Sequence, residues 1–456
     1  MAKKTQTETK KTTVCLTGAT GHVGYAILKE LQGHEEKDIR ILVRKDPGIF
    51  EGLRCEMRKG DITDYESLLR AFEGCDIVYH IAGCVEIKPG NEEFVYNVNV
   101  NGTKNVLRAC RKAGVKRLVY MSSVDTYVPL PEGEVMTEVY EYDPDKLEGA
   151  YAKTKAEATA LVLEANGKGG LTTVVCQPSA CMGPYDFKIS SVGSMIRMFA
   201  SGAFPITMTF GGYNFVDVRD VAIGTVAAGD KGGDGEVYLL VNTAVTVDEF
   251  IRILAKVSGN KPPRIKLGKG LIDFAAPIME TYYKTLNKPA IFTRYAVRKL
   301  CSNCNFSFAK AERELGYHPR PLEESIKDTL DWLVEFEESE KRRIAAETEQ
   351  RKREAEEAAA AAKAAAKAAE EAAAAAEAAE AAAVNAEEAA NAALLEAEEK
   401  ERLALSVAHK NEKRVEKAEK KKEKRLKKKQ KEAEKAEKEA DEADEAQNAD
   451  DSPAEE

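Results

Sequence analysis

Three side chains in this sequence have the types and the order needed to move a proton at a reacting oxygen. Ser123 follows the apolar run Arg117–Met121, and Tyr151 and Lys155 come later, in G-A-Y-A-K-T-K-A-E. On a helix, residues at i and i+4 share a face, so the phenol and the ammonium would lie side by side. A free tyrosine titrates near ~10, and an ammonium within ~4–6 Å lowers that by about one to three units. Such a phenol exchanges protons close to neutral pH, and a serine hydroxyl beside it would hydrogen-bond and orient the same oxygen. Asn99 would hold a water that links Lys155 to solvent. Alone, Y-x-x-x-K is common on solvated helix faces. The order in which these groups follow a glycine loop is what carries the reading.

That loop is V-C-L-T-G-A-T-G-H-V-G, residues Val14–Gly24. An apolar run, a turn bearing Gly18, Gly21 and Gly24, and an amphipathic helix Tyr25–Gln32 form the first crossover of a nucleotide-binding α/β domain. Backbone N–H groups around Thr20, His22 and Val23, at the positive end of the helix dipole, would hold a pyrophosphate. The next strand, Asp38–Arg44, ends where such a fold meets the adenosine ribose. Arg44, followed by Lys45, suits a 2′-phosphate, so NADP is expected ahead of NAD. After strand Cys55–Lys59, Asp61 would accept from an adenine amine and Ile62 would lie against the ring, while Asp64 caps helix Tyr65–Phe72. Strand Asp76–Ile81 runs into Ile81, Ala82 and Gly83, where the backbone must pass close to the cofactor.

A helix is expected over Phe94–Lys112, yet Asn97–Thr103 within it is densely polar, a local conflict of the kind that marks functional sites. Strand Thr172–Gln177 is closed by Pro178, also counted among the cofactor-facing residues. Repeated strand–helix order predicts an α/β fold: a doubly wound parallel sheet (Rossmann), a smaller mixed substrate lobe and a long C-terminal α-helical extension. The expected divisions are a flexible leader 1–12, a dinucleotide-binding and catalytic domain 13–183, a substrate lobe 184–337 with segments returning to the core, and a helical tail 338–456 with a disordered end.

Residues 12 to about 336 resemble the extended short-chain dehydrogenase/reductase superfamily. The resemblance rests on T-G-A-T-G-H-V-G, K-G-D-I-T-D, H-I-A-G, N-V-N-G-T-K-N-V-L, L-V-Y-M-S-S, Y-A-K-T-K-A-E and F-V-D-V-R-D-V-A. The stretches Gly183–Lys188, Gly211–Ala222 and Glu314–Leu322 are similar to its dihydroflavonol-reductase-like and 3β-hydroxysteroid-dehydrogenase-like branch. The resemblance implies NAD(P)-dependent interconversion of a ketone or aldehyde with an alcohol on a fairly hydrophobic small molecule. It makes Ser123, Tyr151 and Lys155 the catalytic trio and Gly18, Gly21 and Gly24 the pyrophosphate loop. Lys155 and Tyr151 would also face the nicotinamide ribose. A nucleotide-sugar epimerase or dehydratase retaining NAD is the alternative enzyme, and pairing of helices into a homodimer is implied as well. Two departures stand out: Gln177-Pro178 replaces the usual Arg-Pro, and Gly83 is followed by Cys84.

The chain has 456 residues, a net charge of -9 and nine cysteines. An odd cysteine count without framework spacing, a polar leader Met1–Thr12 and no long apolar run predict a cytoplasmic protein with no membrane span. Cys301 and Cys304 lack a second ligand pair for zinc, so no metal is expected. Beyond Glu338 the sequence is almost entirely Ala, Glu, Lys and Arg, which predicts one long solvated helix, with alanine-rich pairing as the coiled-coil alternative. Pairs such as Glu416–Lys420 and Glu423–Lys427 support it. The block Lys420–Lys431 offers cations to an anionic surface or another protein, but no aromatic for base stacking, so no specific nucleic acid is expected. A scaffold tethered through this tail is the reading from a different class.

Overall fold

The computed structural model describes residues 10–85, 90–203, 206–271, 294–377, 391–400 and 402. It divides into two compact units, Met1–Phe336 and Glu337–Glu456. In the first unit, strands β1 (Thr12–Thr17), β2 (Lys37–Val43), β3 (Glu56–Lys59), β4 (Ile77–His80), β5 (Arg117–Met121) and β6 (Thr172–Pro178) alternate with helices α1 (His22–Leu31), α2 (Tyr65–Phe72), α3 (Glu92–Tyr96), α4 (Gly102–Ala113) and α5 (Ala150–Glu164). Short strand β7 (Ala180–Met182) and helix α6 (Ser191–Ala200) follow. Next come β8 (Ile206–Met208), β9 (Gly212–Asp217), α7 (Val218–Lys231), β10 (Val237–Leu240), β11 (Ala244–Thr246), α8 (Val247–Ser258) and β12 (Ile265–Leu267). The described part of the unit closes with α9 (Arg294–Leu300), α10 (Ala309–Leu315) and the start of α11 (Leu322–Glu377).

The main sheet is wholly parallel, in the order β10-β6-β5-β4-β1-β2-β3. Its inner strands are buried on both faces, which parallel sheets require because crossover helices cover each side. Period-two alternation sorts the side chains: Val14 and Leu16 of β1 join one apolar layer, Cys15 the other. The same split divides Val119 and Met121 from Leu118 and Tyr120 on β5. The chain leaves β1 toward β2 on one side and returns at β4 on the other. The crevice at the carboxyl ends of β1 and β4 is therefore the topological switch point where ligands bind in such sheets. The strand β10, well past residue 184, completes the edge beside β6, and α7 packs on α1, so the lobe's sequence contributes to the main sheet's layers. The smaller sheets are β11-β9-β7 and β12-β8.

The stretch expected as one helix over Phe94–Lys112 is three pieces. Between α3 and α4 lies a π-helical turn, Asn97–Asn101. One extra residue in the turn shifts the phase of the side chains, and such insertions concentrate at functional sites. The tail expectation is also altered. The helix begins inside the first unit at Leu322, with Ile326 and Leu333 buried there, and is continuous to Glu377. In the second unit a further helical stretch occupies 391–400, and Ala362, Ala366 and Ala369 share a cleft with Leu394 and Ala397. The pairs Glu416–Lys420 and Glu423–Lys427 and the block Lys420–Lys431 lie outside the described residues. Among the described residues no disulfide forms, no metal-binding group of side chains occurs, and no helix is long and apolar enough to cross a membrane.

Candidate active site

The site assembles from the strand ends. After β1, Gly18 adopts φ +80°, and a Cβ there would lie 2.6 Å from the Ala82 nitrogen. Only glycine lets the two strand-end loops meet. A Cβ on Gly24 would overlap the Gly18 carbonyl oxygen, so this glycine sets how closely α1 approaches β1. Gly21 is the N-cap of α1 and provides no side-chain cap. The first-turn N–H groups have no partner within the helix, and this cradle fits a pyrophosphate. Val23 packs into the core behind the loop. The His22 side chain turns away from the cradle, pairing through Nε2 with the Pro184 carbonyl at 3.0 Å. Burial lowers the His22 pKa, against the raising influence of Asp186.

After β4, the loop is held by a chain of hydrogen bonds whose directions can be worked out. Thr103 Oγ1 donates to the Asn99 carbonyl (2.6 Å), so His80 Nε2 must donate to Thr103 (3.1 Å). His80 Nδ1 then accepts from Thr17 Oγ1 (2.9 Å), which in turn accepts from the Ala82 N–H (3.3 Å). Burial, with Lys155 as a lesser cause, pushes the His80 pKa down to about 3, so the ring stays neutral. The chain ends on a backbone carbonyl; its effect is to fix Ala82. Asn99, on the π turn, clamps the next residues: Oδ1 accepts from Cys84 N at 2.7 Å, and Nδ2 donates to Cys84 O and Thr154 Oγ1. Both amide protons are therefore engaged, and any water would have to use the remaining acceptor capacity of Oδ1. The Cβ position of Gly83 is 3.3 Å from Asn99 Oδ1 and 3.4 Å from Lys155 Nζ, which brings the three predicted residues together.

Lys155, on α5, is 4% exposed. Its Nζ donates to the Met121 carbonyl (2.6 Å) and Tyr120 Oη (3.2 Å), and lies 4.6 Å from the centre of the Tyr120 ring. Among the described residues no carboxylate pairs with it. Burial pushes its pKa down to about 7. One helical turn earlier, Tyr151 stands half-buried in the first turn of α5, just after Gly149, whose φ of +85° turns the chain into the helix. Ser123 caps the short turn Val124–Thr126, and its Oγ accepts from Asp125 N at 3.1 Å, which keeps its own proton for donation. Pro178 ends β6, buried and opposite Leu240.

The residues expected at the adenosine end lie together at the ends of β2 and β3. Arg44 Nε stands 3.9 Å from Asp61 Oδ2. Asp61 Oδ1 accepts from Thr63 N and Oγ1, a local turn, and Asp64 caps α2 as expected. Ile62 is buried against Gly102 of α4, so its side chain belongs to the core.

The model of the 3-beta hydroxysteroid dehydrogenase/isomerase family matches residues 15–257. The chain belongs to this family. Sterol demethylase protein B of Methylococcus capsulatus is 31% identical over 330 residues, covering 71% of this chain and 98% of that protein. The 3beta-hydroxysteroid-dehydrogenase/decarboxylase isoform 1 of Arabidopsis thaliana is 32% identical over 295 residues, 61% of this chain and 66% of that one. The crystal structure of gox2253 superposes with a TM-score of 0.63 at 30% identity, covering 71% of this chain and 98% of that chain. Family membership makes the protein an NAD(P)-dependent enzyme of the extended short-chain dehydrogenase/reductase type. Sequence reasoning missed Tyr120 under Lys155, the His80 chain and the partners of Gln177. Each is a tertiary contact between elements far apart in the sequence, which no spacing along the chain encodes.

Proposed function

We propose that this family member interconverts a ketone with an alcohol on a hydrophobic, sterol-like small molecule, with NADP(H) as the preferred cofactor. The observation that carries the reading is the buried Lys155 ammonium one turn from Tyr151, beside the strand end that bears Ser123. In the reducing direction Ser123 Oγ donates to the substrate oxygen and fixes its position, while Tyr151 gives it the phenolic proton. In the oxidising direction Tyr151 takes that proton from the alcohol. The Lys155 charge favours the tyrosinate, and the surrounding low dielectric strengthens that influence. A bound nicotinamide supplies or accepts the hydride at carbon. Gly18, Gly21, Gly24 and the Ile81–Gly83 loop would hold its dinucleotide.

Two observations support the finer claims. Arg44 has a side chain 76% exposed, with Asp61 Oδ2 3.9 Å from its Nε, so it can turn to a 2′-phosphate. Gln177 is neutral where a charge would favour sugar-type or anionic substrates, and the Methylococcus capsulatus and Arabidopsis thaliana relatives carry sterol and hydroxysteroid names. The test is a fluorescence titration of NADPH against NADH, followed by a panel of hydroxysteroids and ketones read at the nicotinamide absorbance. Tighter binding of NADPH and turnover of a sterol-like alcohol or ketone are expected. A protein that binds neither cofactor, or turns over only nucleotide sugars, would overturn the proposal.

A further inference from the structure

We propose that Gln177 is a positioning residue that holds the Ser123 turn and the Tyr151 helix in register; this rests on the oxidoreductase reading above. Gln177 is fully buried at the end of β6, and its amide is saturated. Oε1 accepts from Tyr127 Oη at 2.8 Å, and Nε2 donates to Thr126 Oγ1 at 2.9 Å and Tyr142 Oη at 3.1 Å. Thr126 Oγ1 donates its single proton to the Ser123 carbonyl at 2.7 Å. The group facing Thr126 must therefore be a donor, which fixes the orientation of the amide. Tyr142 donates to the Val139 carbonyl, and Val139 N donates to Tyr127 Oη, so the net closes on itself. Burial raises the pKa of both phenols, which stay protonated donors.

The net has two working ends. Through Thr126 it grips the backbone of Ser123. Through Tyr142, which packs against the cluster of Leu147, Ala152 and Ala156, it reaches α5 at the turn that carries Tyr151 and Lys155. An amide is the side chain that closes it, because the site asks for one acceptor and two donors. An arginine has no acceptor for Tyr127, a carboxylate has no donor for Thr126 or Tyr142, and an aliphatic residue leaves the Tyr127 proton without its acceptor and takes one bond each from Thr126 and Tyr142.

The test compares Gln177→Met, Thr126→Val and Thr126→Ser in the wild-type and Ser123→Ala backgrounds, reading kcat, KM, cofactor Kd and melting temperature. Gln177→Met and Thr126→Val are expected to lower kcat about tenfold, a displacement effect on an oriented group. Cofactor Kd should stay within about twofold, and Thr126→Ser should restore most of the loss. In the Ser123→Ala background Thr126→Val should add less than about twofold, since Thr126 acts through that serine, whereas Gln177→Met keeps the part of its loss that runs through Tyr142 and α5. A full tenfold loss from Thr126→Val on top of Ser123→Ala, or a Thr126→Val protein as fast as wild type, overturns the proposal. If Gln177→Met fails to fold, the Thr126 pair still decides. A wild type that turns over nothing on the carbonyl and alcohol panel overturns the oxidoreductase reading instead, whereas failure of the positioning role shows only in an active wild type.

Discussion

In the proposed reaction Lys155 is the residue on which the chemistry turns, and its burial makes the protein's stability depend on pH in a definite direction. Its folded pKa of about 7 lies below the ordinary lysine value of ~10.4. Between those values the unfolded chain binds a proton that the folded chain does not, so stability rises with pH, by up to ~1.4 kcal/mol per pH unit. The cost of burying the charge is felt in full below about pH 7. Lys155→Met should remove this dependence: unfolding curves of cofactor-free wild type and variant should diverge in favour of wild type as pH climbs from about 7 to 9.5. Parallel curves would show that the ammonium is better solvated than its surroundings imply. Arg44 gives a second residue-scale outcome. Arg44→Ala should weaken NADPH about tenfold and leave NADH within about twofold, the signature of one lost phosphate contact. Ser123, Tyr151 and Lys155 stood out as candidates because their types and order suit one reaction. Gln177 drew notice only as a departure from a pattern, because Thr126, Tyr127 and Tyr142 come to it through the tertiary fold.

Among the elements, the β1–α1 junction has the tightest tolerance. A methyl group at Gly24 would collide with the Gly18 carbonyl oxygen, whereas one at Gly33 finds ordinary contact with Glu30 O at 3.5 Å. Gly24→Ala should cost about 1–3 kcal/mol of stability through overpacking and abolish tight cofactor binding. Gly33→Ala, measured by the same denaturant titration, should stay close to wild type. Glycine loop, strands and most helices were readable from apolar periodicity, since a parallel sheet buried on both faces demands continuous apolar strands. The π turn at Asn97–Asn101 was not, because an added residue changes the phase of a helix without changing its composition. The polar density of Asn97–Thr103 marked the place but not the geometry: Asn99 spends its amide on Cys84 and Thr154 to hold the loop beside Lys155.

For the whole molecule, the boundary between catalytic unit and tail can be placed on physical grounds. The first part of α11 belongs to the core, where Trp332 and Phe336 stack on each other and meet Phe187 edge-on. A chain ending at Glu338 keeps these contacts, and its turnover is expected within about twofold of the full-length protein. Ending the chain before Leu322 should prevent folding by exposing the sites of Ile326 and Leu333. Composition alone located the change near Glu338 but not the start of the helix, because core and tail share one uninterrupted helical backbone. The central claim is that a tyrosine-mediated proton transfer accompanies net oxidation or reduction of substrate. Its most direct test is the rate of nicotinamide absorbance change with a sterol-like alcohol or ketone, measured for wild type and Tyr151→Phe. Tyr151→Phe should be slower by about 100-fold or more, with cofactor affinity changed far less. Equal rates, or substrate conversion without any net change in absorbance, would contradict the account.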